Sequence, residues 1–276
     1  MTKYFIASDV HSFFTIMHNE LIKKGFDINN KDHKLVICGD LFDRGDETKQ
    51  LYEFVRSLGD RFIYIRGNHE DLLRDCVFDI VTGNSIGEHH FHNKTVRTIA
   101  QFCDVGEDEF YYTRLSDSLK QTVKEKMKLI LDWIEEKSVD YCSIGDYILV
   151  HGWVPIAYEK INPNPFENKT LADPKEWRTN RYVWETARWI NGMKAWKEGN
   201  RIEGKTIICG HWHCSWGHSH IHQDREEFPQ KDRKNWEKSF EPFVDDGIIA
   251  IDACTAYSGV CNVITLEVED RFLKAM

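Results

Sequence analysis

Five histidines fall within thirteen residues of the 276-residue chain, in the stretch GHWHCSWGHSHIH from 210 to 222: His211, His213, His218, His220 and His222. A histidine-rich tract by itself is only a compositional pointer to metal binding. Further candidates lie far away in sequence: Asp9 and His11 in SDVH, Asp40 in GDLFDRG, Asn68 and His69 in RGNHE, and His151 in HGW. Carboxylates, imidazoles and one amide, without a thiolate cluster, suit manganese, iron or zinc better than calcium or magnesium alone. A carboxylate can bridge two such ions about 3.5 to 4 Å apart, where both polarise a phosphoryl oxygen and lower the pKa of a shared water. Asp40 is the natural bridge.

These residues need elements to bring them together. Short apolar runs appear in KYFIASDVH, KLVICGDLFD, RFIYIRGNHE, YILVHGW and KTIICGHWH, each ending in Asp, Asn or His. Four to six apolar residues rich in β-branched side chains read as buried strands, being too short for helices. In sheets with helical crossovers, ligands collect beyond the carboxyl ends of the strands, where all these polar residues fall.

Helices are expected between the strands. FFTIMHNELIKKG and DETKQLYEFVRSLG place apolar residues near helical spacing and end in Gly25 and Gly59, giving βαβ organisation. SDSLKQTVKEKMKLILDWIEEK carries an apolar stripe from Leu119 to Ile134 behind a Ser cap, which predicts an amphipathic helix. Asp173 and Pro174 suit a helix start, opening a Trp-rich helical segment at about 173–199 through Trp177, Trp184, Trp189 and Trp196, whose stripe is expected to pack. KLVICGD and KTIICGH are nearly the same string and are expected to be equivalent strands of two packed sheets. The tail from 247 to 270 reads as two strands joined by a turn. Residues 223–245 are charged and aperiodic, which reads as a surface loop or flap.

The ordered strings SDVH, GDLFDRG, RGNHE, HG and GHWH, spanning residues 8 to 213, resemble the calcineurin-like metallophosphoesterases. The DRG and RGNHE forms are similar to its phosphoprotein phosphatase branch, including the bacterial and phage lambda type serine/threonine protein phosphatases. The resemblance implies an α/β fold, a four-layer α-β-β-α sandwich with two packed mixed sheets, over a single domain, residues 1–276. It implies that Asp9 and His11 hold the first metal, that Asp40 bridges, that Asn68, His151 and His211 complete the second site, and that His213 is a further ligand. His69 would donate a proton to the leaving alkoxide, oriented by Asp43; a histidine tuned by a carboxylate is an efficient general acid. Arg44 and Arg66 would clamp phosphate oxygens, for which a planar guanidinium is well shaped, and Arg188 is the candidate for a third such arginine. Attack would come in line from a metal-held hydroxide, with no covalent enzyme intermediate. The two metals would be manganese, or iron or zinc.

Competing structural roles are pairing of Arg44 with Glu47 and of Arg66 with Asp71. His218, His220 and His222 have no counterpart in the motifs and are expected to be solvated or structural, their alternation placing them on one face of a strand. Where the family has glycines the chain has Ser8 and Ser12, and Trp153 follows Gly152, an aromatic expected near the mouth of the site.

Composition sets the limits. Hydrophobic residues at 41% and charged residues at 29% support a sizeable core without disulfides. The net charge of -9 argues against a general grip on nucleic acid, although two divalent ions offset by Asp9, Asp40 and a hydroxide leave a positive pocket for a phosphate dianion. Eight cysteines with no Cys-x-x-Cys pair read as buried thiols. The N-terminal apolar run is too short for a signal peptide or membrane anchor, so a cytoplasmic protein is expected. The expected substrates are phosphoproteins, as for a serine/threonine protein phosphatase. Dinucleoside polyphosphates such as diadenosine tetraphosphate, or other nucleotides, are the alternative, and a non-catalytic metal-binding scaffold is a third reading, which His69 and Asp43 speak against.

Overall fold

The computed structural model describes residues 1–112, 114–158, 169–171, 175, 177 and 180–269. The first half alternates strands and helices: β1 (Thr2–Ala7), α1 (Phe14–Lys23), β2 (His33–Cys38), α2 (Thr48–Ser57), β3 (Phe62–Ile65), α3 (Asn68–Thr82), α4 (Glu88–His92), α5 (Thr95–Cys103) and α6 (Asp117–Lys137). The capping serine expected for α6 is Ser116, whose hydroxyl accepts from Leu119 N–H at 3.1 Å. Further strands are β4 (Ser138–Val139), β5 (Cys142–Ile144), β6 (Tyr147–Leu149), β7 (Ile156–Tyr158), β8 (Lys169–Leu171), β9 (Thr206–Cys209), β10 (Phe243–Asp245), β11 (Ile248–Ala250) and β12 (Ile264–Val268).

One five-stranded sheet runs β12-β1-β2-β3-β4, the second β10-β11-β9-β6-β5, and β7 pairs with β8 alone. In the first sheet β1 to β4 are parallel, while β12 is antiparallel to β1. In the second, β11, β9 and β6 are parallel between antiparallel edges. Both sheets are mixed.

Strand parity builds the layers, because successive side chains point to opposite faces. Tyr4, Ile6, Val36, Cys38 and Ile65 of the first sheet pack against Cys142, Ile144, Leu149 and Ile208 of the second. The alternate residues Phe5, Ala7, Leu35, Ile37 and Tyr64 face α1, α2, α3, α5 and α6 through Met17, Leu21, Leu51, Leu73, Ile99 and Val123. On the far face, Ile148, Ile207, Cys209 and Ile248 meet Trp177, Trp184, Met193 and Trp196. The order helix, sheet, sheet, helix is the expected four-layer α/β sandwich. Both faces of each central strand are covered, which is why their sequences are continuous apolar runs. The paired strings KLVICGD and KTIICGH end β2 and β9, the middle strands of the two sheets.

Four expectations are corrected. The tail's two strands are present, but β11 and β12 belong to different sheets and a helical turn at Thr255–Ser258 lies between them. The charged 223–245 segment contains the short helix Trp236–Phe240 and ends in β10. Among its described residues the Trp-rich segment holds the short helices Tyr182–Ala187 and Gly192–Lys197, with Lys175 and Trp177 also helical, Trp177, Trp184 and Trp196 buried and Trp189 52% exposed; its expected start at Asp173 and Pro174 lies outside the described residues. Trp153 is not at the mouth of the site. It is buried, with its indole N–H donating to the Asn200 carbonyl at 3.1 Å.

Candidate active site and metal centre

The loops after β1, β2, β3 and β9 deliver motif residues to one cavity of about 350 Å3, lined by Asp9, His11, Asp40, Arg44, Asn68, His69 and His211, with Trp189 and Trp212 at its side, and the loop after β6 brings buried His151 up behind Asn68. Close approach is forced by missing side chains: a Cβ on Gly67 would collide with Asp40, and one on Gly210 would collide with Ser8 and Asp9. Six site residues, Asp9, His11, Asp40, Asp43, Arg44 and His211, hold left-handed backbone with φ between 50° and 74°. Non-glycine residues rarely adopt that region, and such strain clusters at functional sites.

Local hydrogen bonds set each ligand's direction. His11 Nδ1 donates to the Phe42 carbonyl at 3.0 Å and His151 Nδ1 to the Cys38 carbonyl at 2.8 Å. A carbonyl only accepts, so in each neutral ring Nε2 carries the lone pair. His151 Nε2 then lies 2.8 Å from Asn68 Oδ1 and 3.3 Å from Asp40 Oδ1, while His11 Nε2 is 3.8 Å from Asp40 Oδ2. Lone pairs thus converge on lone pairs. Asp40, His151 and His211 place one ligand atom each within 4.8 Å of the others, and so do His11, Asp40 and His69. Asp9 joins through His211, whose N–H donates to Asp9 Oδ2 at 2.9 Å. Ser8 holds the same carboxylate and donates to the Cys38 carbonyl, so the serine in place of the family's glycine braces the loop.

Burial raises the pKa of Asp9 and Asp40 and drives those of His11 and His211 far down. Carboxylates that resist desolvation beside unprotonated imidazoles fit a pair of metal ions, which Asp9, His11, Asp40, Asn68, His151 and His211 would hold.

The His69 ring is aimed by a second set of contacts. Its Nδ1 donates to Asp43 Oδ2 at 2.7 Å, and Asp43 is fully buried and accepts from Thr95 and Thr98 hydroxyls at 2.8 and 2.9 Å. Burial alone would depress the His69 pKa, but the Asp40 charge and the Asp43 hydrogen bond outweigh it and raise it to about 9. Arg44 Nη2 lies 3.5 Å from His69 Nε2. Arg44 is not paired with Glu47, whose carboxylate instead takes the Thr15 N–H.

Three sequence-derived candidates are not brought into this arrangement. Arg66 turns away to Asp71 and Glu135, both at 2.9 Å, because it leaves β3 on the side of α6. Arg188 binds Asp71 at 2.7 Å and also Asp140. Both arginines line a separate cleft with Glu135, Asp140 and Arg181. His213 reaches the cavity wall, yet Nδ1 faces the Ser215 hydroxyl at 2.8 Å and Nε2 faces Glu227 at 3.6 Å. Burial holds its pKa down, to about 4.

Two further residues join the site. Glu70 accepts the N–H groups of Gly67, Asp40 and Leu41 at 2.7, 3.1 and 3.0 Å, pinning the β2 loop to the start of α3. Asp252 follows β11 and lines the cavity, its pKa raised by burial and then by Asp9. An apolar run ending in Asp was the signal for Asp252, the same one that marks Asp9 and Asp40.

An α/β sandwich whose strand ends converge carboxylates, imidazoles and an amide, beside a His–Asp pair and an arginine, is the framework of a metal-dependent phosphoesterase. Residues 2–241 match the calcineurin-like phosphoesterase family, and the chain belongs to it. That family uses a dinuclear metal site. The symmetrical bis(5'-nucleosyl)-tetraphosphatase of Buchnera aphidicola is 39% identical over 70 residues, which are 25% of this chain and 24% of that protein; the match spans about a quarter of that relative's length. Among solved structures, the cold-active protein-tyrosine phosphatase of a Shewanella species aligns over 97% of this chain and 76% of its own, with 15% identity and a TM-score of 0.48. A protein serine/threonine phosphatase from Saccharomyces cerevisiae aligns over 76% and 61%, with 16% identity and a TM-score of 0.39. No helix among the described residues is long and apolar enough to cross a membrane.

Proposed function

We propose that the chain hydrolyses phosphomonoesters in the manner of a serine/threonine phosphoprotein phosphatase, with His69 as general acid, Asp43 as its positioning residue and Arg44 as the phosphate clamp. The 2.7 Å contact between His69 and buried Asp43 carries the reading. A carboxylate also backs metal-bound imidazoles, but His69 differs from His11 and His211 in having its pKa raised rather than driven far down, which suits protonating a poor leaving group. Bound at Asp9, His11, Asp40, Asn68, His151 and His211, two metal ions, manganese by preference, would supply Lewis acidity and lower the pKa of water. His69 delivers its Nε2 proton to the departing alkoxide. Asp43 holds the ring with Nδ1–H toward itself, so that Nε2 faces the cavity, and stabilises the imidazolium before transfer. The Arg44 guanidinium, at the cavity wall beside that nitrogen, offers paired N–H donors to phosphoryl oxygens.

A second reading, hydrolysis of dinucleoside polyphosphates, is favoured by Trp189 and Trp212. These indoles are 52% and 37% exposed and line both the catalytic cavity and the groove next to it, where a base could stack.

The test is a substrate panel with manganese: a phosphopeptide, diadenosine tetraphosphate, a cyclic nucleotide diester and an aryl phosphate. Preference for the phosphopeptide and aryl phosphate supports the first reading, and preference for the dinucleotide moves it to the second. Turnover of none, with both metals bound, leaves a metal-binding scaffold.

A further inference from the structure

The histidines left over from the catalytic cavity do not lie on a strand, although His220 and His222 are exposed as expected. Residues His218–His222 form a turn of wide helix following the short helix Cys214–Gly217, which brings His218 and His222 to one side with ring centroids 5.9 Å apart. Gln223 then reverses the chain with φ 57°, and the Asp224 N–H returns to the His218 carbonyl at 3.2 Å. One ring nitrogen of each histidine and a carboxylate oxygen of Asp224 come within 4.8 Å of one another.

His218 is 4% exposed, and its Nδ1 is buried with no hydrogen-bond partner. Its Nε2 is committed as a donor to the Glu241 carbonyl at 3.1 Å, which leaves Nδ1 as a bare lone pair in the neutral ring. That lone pair faces Asp224 Oδ1 at 3.7 Å. Two opposed acceptors, a buried imidazole and a carboxylate whose side chain is 48% exposed, repel each other unless a proton or a cation joins them. His222 is braced too, with Nε2 at 3.1 Å from the Asp245 carboxylate. A carboxylate or carbonyl behind each imidazole is the outer arrangement that fixes tautomer and ring direction in metal sites.

We propose that His218, His222 and Asp224 form a zinc site, apart from the dinuclear centre, with three protein ligands and a fourth position open to water. Two imidazoles and one carboxylate match zinc, whereas calcium and magnesium ask for oxygen alone. Two ligand atoms of a tetrahedral zinc are separated by roughly 3.4 Å from its bond lengths, so the 3.7 Å pair is nearly in place. The ion would anchor the start of the 223–245 segment. Glu227 and Phe228 of that segment reach His213 on the cavity wall, at 3.6 Å and a ring separation of 4.5 Å, so the site would also hold that wall.

The experiment counts zinc bound to the chelator-stripped full chain by native mass spectrometry, beside His222→Gln, Asp224→Asn and His220→Gln, with folding checked by circular dichroism. Positions 222 and 224 are exposed enough for both variants to fold. His222→Gln and Asp224→Asn are expected to bind one zinc fewer than the parent, and His220→Gln the parental number. An unchanged count in either of the first two, or an equal loss in His220→Gln, overturns the proposal. Zinc counting needs no turnover, so this result is independent of the substrate reading.

Discussion

Replacing Asp43 by Asn isolates the part of the site that distinguishes catalysis from ligation. The amide keeps the shape, and the Thr95 and Thr98 hydroxyls can rotate to accept from it, so the buried pocket tolerates the change. What is lost is the charged acceptor 2.7 Å from His69 Nδ1. A hydrogen bond to a charged group contributes about 1.5 to 3 kcal/mol, which converts to a fall of about 10- to 150-fold in kcat. His69→Asn removes the acid itself and should lower kcat on the order of a hundredfold or more. The assay is aryl phosphate hydrolysis with manganese across a double-mutant cycle, with metal content measured for every variant. If Asp43 acts through His69, Asp43→Asn lowers the rate of the parent but hardly that of His69→Asn. Full additivity of the two losses, or loss of metal in either variant, refutes the assignment.

Gly67→Ala should cost metal occupancy before it costs the fold, because the new Cβ strikes Asp40; metal analysis beside a thermal melt checks the order, and a variant with full metal contradicts it. Arg188→Ala, which takes the guanidinium from Asp140 while Asp71 keeps Arg66, should destabilise the chain by about 1.5 to 3 kcal/mol in urea while leaving KM for the aryl phosphate nearly unchanged; a raised KM at unaltered stability would restore Arg188 as a phosphate ligand. Trp189→Ala should lower dinucleotide turnover about tenfold, the scale of losing one stacked base, with aryl phosphate turnover kept; equal losses on both substrates remove the support for the nucleotide reading.

The central strands were legible because burial on both faces writes apolar runs whose last residues are polar, as in KLVICGD. The proposed ligands Asp9, Asp40, Asn68, His151 and His211 lie at or just past those ends. Side-chain direction was not legible there, since it depends on where the chain leaves the sheet: Arg66 belongs to the same RGNHE block as Asn68 but points to Asp71 and Glu135. Trp153 was misplaced for the same reason. Thr95 and Thr98 were unreadable because a threonine on a helix carries no local sign that it holds a carboxylate more than fifty residues away. In HSHIH the alternation suggested a strand, but the stretch continues the helical turn begun at Cys214, and backbone geometry decided against side-chain pattern.

Titration of manganese into metal-stripped chain, with aryl phosphate hydrolysis followed, tests the proposed dinuclear site most directly. Activity should rise to a plateau at two metal equivalents per chain and stay absent from Asp40→Asn at the same additions. A chain with both metals bound and no turnover, or an Asp40→Asn variant as active as the parent, would contradict it.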